Sequence, residues 1–125
     1  MEIGTYLGEI NRDTVLAVKV VIYGSARRHG VADAEIRTVV AHPIVRYGVV
    51  PRAEPEAKLI RLVGDTNGGP LIEVVADQIE PDELHVFHAM LLTVAVAREV
   101  FDATGGAVDL TDQVTRKQRT RLEET

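Results

Sequence analysis

The pattern of apolar and polar residues predicts a series of short strands in this chain. Residues 15–23 are dense in β-branched side chains, which pack well on a pleated surface, and every second residue from Leu16 to Ile22 is apolar. Further strands are predicted at residues 44–50, 57–63, 71–78 and 84–90. The links between these later strands are short and rich in turn-forming residues, so we expect antiparallel neighbours.

Helical spacing appears between the first two predicted strands. Ile36, Val39 and Val40 fall at i, i+3 and i+4, which is typical of one buried helix face. Asp33 lies near the start of this helix, where a carboxylate complements the free N–H groups, and the pair His42-Pro43 stops it, because the residue before proline is pushed out of helical geometry. Residues 25–29 are expected to form a single helical turn that ends at Gly30.

Two more helices are predicted after the last strand. Residues 91–102 contain no glycine or proline and are apolar on most sides, which favours a mostly buried helix that ends at Gly105 and Gly106. A final helix is expected from Asp109 or Thr111 to about residue 124. Its apolar face is thin, so contact with a partner or a second copy of the chain is an alternative to core packing.

These elements predict an α+β fold with a small, mainly antiparallel sheet, helices packed on one face and a helical C-terminal extension. A length of 125 residues fits one domain, with residues 1–104 as the α+β body and residues 105–125 as the extension of the same domain. The longest apolar stretch, at residues 15–23, is far shorter than the ~20 residues that span a bilayer. No secretory signal is evident, so we expect a soluble, cytoplasmic protein without membrane contact.

Composition and charge narrow the chemistry. The chain has no cysteine, which excludes disulfides and thiolate metal sites. The net charge of −5 argues against sequence-independent binding to nucleic acid over the whole surface. A local basic site stays open, because the field depends on how charge is distributed.

Four side chains are candidates for catalysis: Arg27, Arg28 and His29 in the predicted turn, and His88 in the last strand. Guanidinium groups bind phosphate with two hydrogen bonds, and imidazoles transfer protons near neutral pH. The alternatives are a solvated basic turn and a hydrogen-bonded histidine at the sheet margin. We expect the turn near residue 28 to lie over the last strand, so that these groups share one open pocket.

Two further motifs, the His85/His88 pair and the glycine-rich segment, do not indicate a metal site or a phosphate loop. Strand alternation predicts that His88 shares a face with Leu84, Val86 and Met90 and that His85 points the other way, which is poor geometry for a shared metal ion. The glycine-rich segment at residues 65–69 leads into a strand, so a hairpin turn is favoured over a phosphate loop.

A resemblance emerges from the order of these motifs. The motifs follow one another in the order Ser25-Ala-Arg-Arg-His-Gly-Val, Ala34-Glu-Ile-Arg, Gly64-Asp with its loop, Leu71-Ile-Glu-Val-Val and His85-Val-Phe-His-Ala-Met. In this order the chain resembles the BrnT-like toxins of bacterial type II toxin–antitoxin systems, over about residues 20–91. That family is related to the RelE/ParE group. The resemblance implies a compact sheet flanked by helices, metal-independent cleavage of RNA without a cofactor, and silencing by a cognate antitoxin. It assigns the active site to Arg27, Arg28, His29 and His88.

The chain departs from the family pattern after the last motif. Similar sequences typically continue with proline and basic residues, whereas here Met90 is followed by Leu91 and Leu92, and the next basic residue is Arg98. A non-catalytic module of the same fold, used for protein binding or homodimer formation, is therefore the alternative function. A DNA-binding regulator that uses the basic run at residues 116–121 ranks lower, because no helix-turn-helix pattern is visible.

Overall fold

A computed structural model of the chain describes residues 18–50 and 57–114. The elements, in chain order, are β1 (Lys19–Ile22), a 3₁₀ turn (Gly24–Arg27), α1 (Asp33–Ala41), β2 (Val45–Val49), β3 (Leu59–Gly64), β4 (Ile72–Glu80), β5 (Glu83–Leu91) and α2 (Val94–Ala103). Residues 111–114 are again helical. No helix in these two ranges is long and apolar enough to cross a membrane.

The strands form one mixed five-stranded sheet in the order β1-β5-β4-β3-β2. Strands β2 to β5 pair with one another in antiparallel fashion, as their short links predict. β1 pairs in parallel with β5, and the connection through α1 and three strands supplies the long crossover that a parallel pair needs. The predicted α+β class and the mainly antiparallel sheet are confirmed.

A β-bulge interrupts β5 where it pairs with β4. Val75 pairs with His88 and Ala76 pairs with Val86, so Phe87 is an extra residue without a partner on β4. Because side chains alternate between faces along a strand, one extra residue reverses the alternation beyond it. Leu84, Val86 and Ala89 consequently lie on the same face of the sheet, although Val86 and Ala89 are three residues apart and would face opposite ways in a regular strand.

That face is covered by α1, and we call it the α1 face. Ile36 and Val39 of α1 are fully buried against it, and Val40 is partly buried, which confirms the predicted helical stripe. The core of this face is built from aliphatic side chains of the sheet, among them Leu62, Ile72, Val74, Ala76, Leu84, Val86 and Ala89. α1 ends at Ala41, and His42 is no longer helical, as the predicted stop at His42 and Pro43 requires.

The opposite face is covered by α2, and we call it the α2 face. Val96, Ala97 and Val100 of α2 pack with Val45, Tyr47 and Val63 of the sheet, joined by Leu110 and Val114. The expectation that helices pack on one face only is therefore wrong. β3 shows why, since its neighbours Leu62 and Val63 are both fully buried but belong to opposite faces.

The C-terminal part differs from its prediction in its boundaries. Leu91 ends β5, and α2 begins after its N-cap Thr93, so the helix is shorter than the predicted 91–102. It ends as expected at Gly105 and Gly106, which adopt φ values of 62° and 87°. The remainder of the predicted final helix and its basic run, Arg116, Lys117, Arg119 and Arg121, lie outside the described residues, as does the start of the predicted first strand.

Candidate functional site

The bulge in β5 determines where His88 points. Its side chain lies on the α2 face, opposite Leu84 and Val86, and its Nε2 is 2.9 Å from Oε1 of Glu73. The prediction that His88 shares a face with Leu84 and Val86 is wrong, because uninterrupted alternation does not hold across Phe87. The imidazole is 30% exposed, so it reaches solvent from the sheet surface.

Glu73 on β4 is the carboxylate behind this imidazole. It is only 3% exposed and is the one buried charged side chain in the described part of the chain. While Oε1 contacts His88, Oε2 accepts hydrogen bonds from the backbone N–H of Thr93 at 2.9 Å and from its hydroxyl at 2.8 Å. Both carboxylate oxygens are therefore held by donors from two different elements.

A chain of polar groups extends from Glu73 across the sheet to β2. Nη1 of Arg61 is 3.9 Å from Oε1 of Glu73, and Nε of Arg61 donates to Oε1 of Glu99 at 2.7 Å. The hydroxyl of Tyr47 donates to the same Glu99 oxygen at 2.7 Å. We call Tyr47, Glu99, Arg61, Glu73, Thr93 and His88 the polar network. It connects β2, β3, β4 and β5 with α2.

The environment of Glu73 favours its ionised form. Burial alone would raise the pKa of its carboxyl group, but the hydrogen bonds from His88 and Thr93 outweigh that effect and hold the pKa below its ordinary value. At the other end of the network, burial raises the pKa of Tyr47, and the hydrogen bond to Glu99 raises it further. Glu73 is therefore a fixed negative charge beneath His88.

This charge selects the tautomer of His88. An ionised carboxylate can only accept a hydrogen bond, so the neutral imidazole must carry its proton on Nε2. Nδ1 is then the basic nitrogen, and it has no hydrogen-bond partner within residues 18–50 and 57–114. A carboxylate behind an imidazole also stabilises the imidazolium that forms when the base takes a proton.

His29 lies beside His88. The two ring centroids are 6.0 Å apart, and the rings meet edge to face at 69°. β1 ends at Ile22 while β5 continues to Leu91, so the turn that follows β1 packs along the open edge of β5. The Ser25 hydroxyl donates to the carbonyl of Phe87 at 2.7 Å and fixes the turn there. The predicted approach of this turn to the last strand is confirmed.

The two arginines of the turn have different environments. The Arg27 guanidinium makes two hydrogen bonds of 2.8 Å to the Asp33 carboxylate, and this contact lowers the pKa of Asp33. Arg27 thus joins the turn to the start of α1, and Asp33 binds this side chain instead of the free helical N–H groups. Arg28 is exposed and makes no side-chain hydrogen bond or ion pair with another described residue. The catalytic roles of both arginines stay predictions.

His85 shares the α2 face with His88, contrary to the sequence-based expectation. It lies opposite Asp77 on β4, two strand positions from the Val75–His88 pair. Its Nδ1 is 2.6 Å from the Tyr23 hydroxyl, and its Nε2 is 2.7 Å from Oε2 of Glu83. Among the residues that the structure describes, no group of three or more His, Asp or Glu side chains is arranged to hold a metal ion.

Sequence reasoning missed Glu73 as a site residue. The signal was a single charge in the middle of an apolar strand, Leu71-Ile-Glu-Val-Val, because a carboxylate at such a position needs buried donors. The spacing of 15 residues between Glu73 and His88 gave no hint of contact, since it arises from the register of the β4–β5 hairpin.

Comparisons with known proteins found no relative of this chain. No protein-family model matches the chain, and searches of curated proteins and of solved structures return no significant match. Proposals about function therefore depend on the geometry of the site and on the motif resemblance.

Proposed function

We propose that this protein is a metal-independent endoribonuclease, the toxin component of a type II toxin–antitoxin system with a BrnT-like, RelE/ParE-related fold. The observation that carries the proposal is the pair of imidazoles, His29 and His88, 6.0 Å apart at the surface, with the buried Glu73 carboxylate behind one of them. Two proton-transfer groups side by side suit a reaction in which one oxygen loses a proton and another gains one.

The reaction uses the 2′-hydroxyl of RNA as its own nucleophile. Nδ1 of His88 removes the 2′-hydroxyl proton while the 2′-oxygen attacks the adjacent phosphorus. Protonated His29 donates a proton to the 5′-oxygen as its bond to phosphorus breaks. The products are a 2′,3′-cyclic phosphate and a free 5′-hydroxyl, and the proton count balances. Each of these acid–base groups typically contributes ~10²–10⁴-fold to the rate.

Charge on the phosphate oxygens needs a cationic partner. Arg28 is suited to this role because its guanidinium is exposed, next to His29 in the chain, and not engaged by another described side chain. Arg27 is already bound to Asp33, so its contribution is to hold the turn that presents Arg28 and His29. Glu73 acts through His88, since it fixes the tautomer and stabilises the imidazolium.

The proposal is tested by expressing the protein alone in bacteria and measuring growth and RNA integrity. The unmodified chain should arrest growth and degrade RNA, while His88→Ala and Arg28→Ala should relieve both effects. His42→Ala is the matched control, because His42 is an exposed histidine after the end of α1 whose side chain makes no hydrogen bond to the proposed site residues in the described part of the chain. No arrest by the unmodified chain, or arrest that survives both site substitutions, would contradict the proposal.

A purified sample separates the mechanism from indirect effects. Cleavage should persist in a metal chelator and should leave a 2′,3′-cyclic phosphate. An RNA with a single 2′-deoxy nucleotide on the 5′ side of the cleaved bond should bind without being cut, because the nucleophile is missing. Loss of cleavage in chelator would contradict a metal-independent reaction.

The alternative proposal is a non-catalytic module with the same fold. It is favoured by the residues after the His-Ala-Met motif: Leu91 belongs to β5 and Leu92 is 2% exposed in the core, so packing has replaced the basic residues of similar sequences. The buried side of α2 packs on the chain's own sheet, which leaves Val94 and Phe101 as the large apolar side chains that this helix exposes. A homodimer seen by light scattering and abolished by Phe101→Ser, in a sample that cuts no RNA, would favour the module.

A further inference from the structure

A second hydrogen-bonded triad lies on β5, apart from the His29–His88 pair. The Tyr23 hydroxyl, after β1, is 2.6 Å from Nδ1 of His85, and Nε2 of the same ring is 2.7 Å from the Glu83 carboxylate. The Tyr23 and His85 rings also meet edge to face, with centroids 5.5 Å apart. Parallel pairing of β1 with β5 brings these three side chains together, because Val21 lies opposite His85 and Lys19 lies opposite Glu83.

The protons of this triad can be assigned from its acceptors. The hydrogen bond from His85, with a smaller effect of Lys19, holds the pKa of Glu83 below its ordinary value, so Glu83 is an ionised acceptor. His85 therefore donates from Nε2, and its Nδ1 accepts the hydrogen of the Tyr23 hydroxyl. A hydroxyl bonded to a base that is itself oriented by a third group is the arrangement of an activated nucleophile.

Packing alone does not account for this arrangement. Backbone hydrogen bonds already fix the end of β1 on β5, for example from the N–H of Tyr23 to the carbonyl of Val86 at 2.9 Å. Tyr23 is 44% exposed, so water could satisfy its hydroxyl without help from an imidazole. An exposed hydroxyl held on a carboxylate-backed base is open to an incoming reagent.

We propose that Tyr23 is a nucleophile that accepts an acyl group from a neutral ester. Oη of Tyr23 attacks the ester carbonyl while its proton passes to Nδ1 of His85. The C–O bond to the alcohol breaks, and the alcohol leaves with the proton that His85 returns. The product is a phenolic ester on Tyr23. Water then attacks that ester with the same base, which releases the carboxylic acid and restores the hydroxyl.

Local charge favours a neutral substrate over a phosphorylated one. Glu83 belongs to the triad, and Asp77 lies directly opposite His85 on β4. These two carboxylates outnumber the ammonium of Lys19, which lies opposite Glu83 on β1, and they repel an anionic electrophile, whereas an uncharged ester carries no such penalty. This activity is independent of the proposed RNA cleavage, because it uses a different imidazole and a different nucleophile.

The test uses p-nitrophenyl acetate as the probe and follows release of nitrophenolate together with the site of acetylation. Peptide mapping should find acetyl on Tyr23, and hydroxylamine should remove it, as it removes phenolic esters but not lysine amides. His85→Gln should slow acetylation of Tyr23 by roughly 10²-fold, because the general base is lost. Glu83→Gln should slow it less, since the glutamine oxygen still accepts from Nε2 without supplying charge.

Glu80→Gln is the matched control, because Glu80 pairs with Glu83 in the same hairpin but makes no contact in the triad. It should leave the Tyr23 rate unchanged. Far-UV circular dichroism checks that the variants fold, and if His85→Gln does not, the comparison of Glu83→Gln with Glu80→Gln decides. Acetylation confined to lysines, or a rate of Tyr23 acetylation that is unchanged in both His85→Gln and Glu83→Gln, would overturn the proposal. Neither result bears on the proposed RNA cleavage, which uses His29 and His88.

Discussion

The two faces of the sheet are stabilised in different ways. The core of the α1 face is aliphatic, and its largest side chains are completely buried among others of the same kind. The α2 face has an apolar part under α2 and, beside it, the polar network that ends at His88. Hydrophobic burial is non-directional, so the α1 face tolerates exchange of one aliphatic residue for another of equal volume. The polar network depends on named partners at hydrogen-bond distance.

Because of this difference, the α1 face contributes to stability alone, whereas the polar network on the α2 face also orients the side chain proposed to act in the reaction. No buried side-chain nitrogen or oxygen in the described ranges lacks a hydrogen-bond partner, so the cost of burying Glu73 is offset within the network. The same partners give His88 its orientation. A substitution on the α1 face should therefore lower stability alone, whereas a substitution in the network should alter stability and the behaviour of His88 together.

The largest loss of stability is expected from a cavity on the α1 face. Leu62→Ala removes a fully buried side chain and should lower the free energy of unfolding by about 2–5 kcal/mol, measured by urea denaturation. Leu62→Met is the matched control and should cost less than about 1.5 kcal/mol, because it keeps the volume. Equal losses from both variants would contradict the view that packing volume alone matters on this face.

Glu73→Gln is the corresponding change on the α2 face. A glutamine has one acceptor oxygen, so its NH₂ group must face either His88 or Thr93, both of which donate to the carboxylate. We expect a loss of about 1–3 kcal/mol in the same urea measurement. Asp77→Asn, which removes a carboxylate from the same strand and face, should change stability by less than about 0.5 kcal/mol.

Acid should remove the advantage that Glu73 gives over glutamine. The folded-state pKa of Glu73 lies below its unfolded value of about 4.3, so its ionised form stabilises the fold above that value and the contribution is lost as the pH falls through the folded-state pKa. The stability difference between the unmodified chain and Glu73→Gln should shrink as the pH falls from about 5 through the folded-state pKa of Glu73. A difference that grows below about pH 5 has the wrong sign for this account.

The smallest effect is expected at the far end of the polar network. Tyr47→Phe removes the hydroxyl that donates to Glu99 but keeps the ring in the core, so it should cost about 0.5–1.5 kcal/mol. Urea denaturation of Tyr47→Phe, Glu73→Gln and the double variant forms a thermodynamic cycle. A coupling energy above experimental error would show that the network acts as one unit, and strict additivity would show two separate contacts.

Much of this fold follows from local sequence signals. The β-branched runs, the Ile36-Val39-Val40 stripe and the paired glycines after α2 each predict their element within a few residues. The antiparallel order of β2 to β5 follows from short links. These features depend on neighbours in the chain, so the chain alone reveals them.

The orientation of the site depends on long-range pairing and could not be predicted in the same way. Whether His88 faces α1 or α2 is decided by the bulge at Phe87, which exists only in the register of β5 with β4. The contact of His88 with Glu73 has the same origin. The expectation that the turn near residue 28 lies over the last strand anticipated the approach of His29 to His88, but the pairing of Arg27 with Asp33 was not anticipated.

The central claim is that an ionised Glu73 fixes the tautomer of His88, so that the neutral imidazole carries its proton on Nε2. Side-chain ¹⁵N NMR of the histidine-labelled protein, with His88→Gln to assign the signal, measures this tautomer directly. The account predicts a protonated Nε2 and an unprotonated Nδ1 for neutral His88, with this preference weakened in Glu73→Gln. A proton on Nδ1, or a tautomer unchanged by loss of the Glu73 charge, would contradict it.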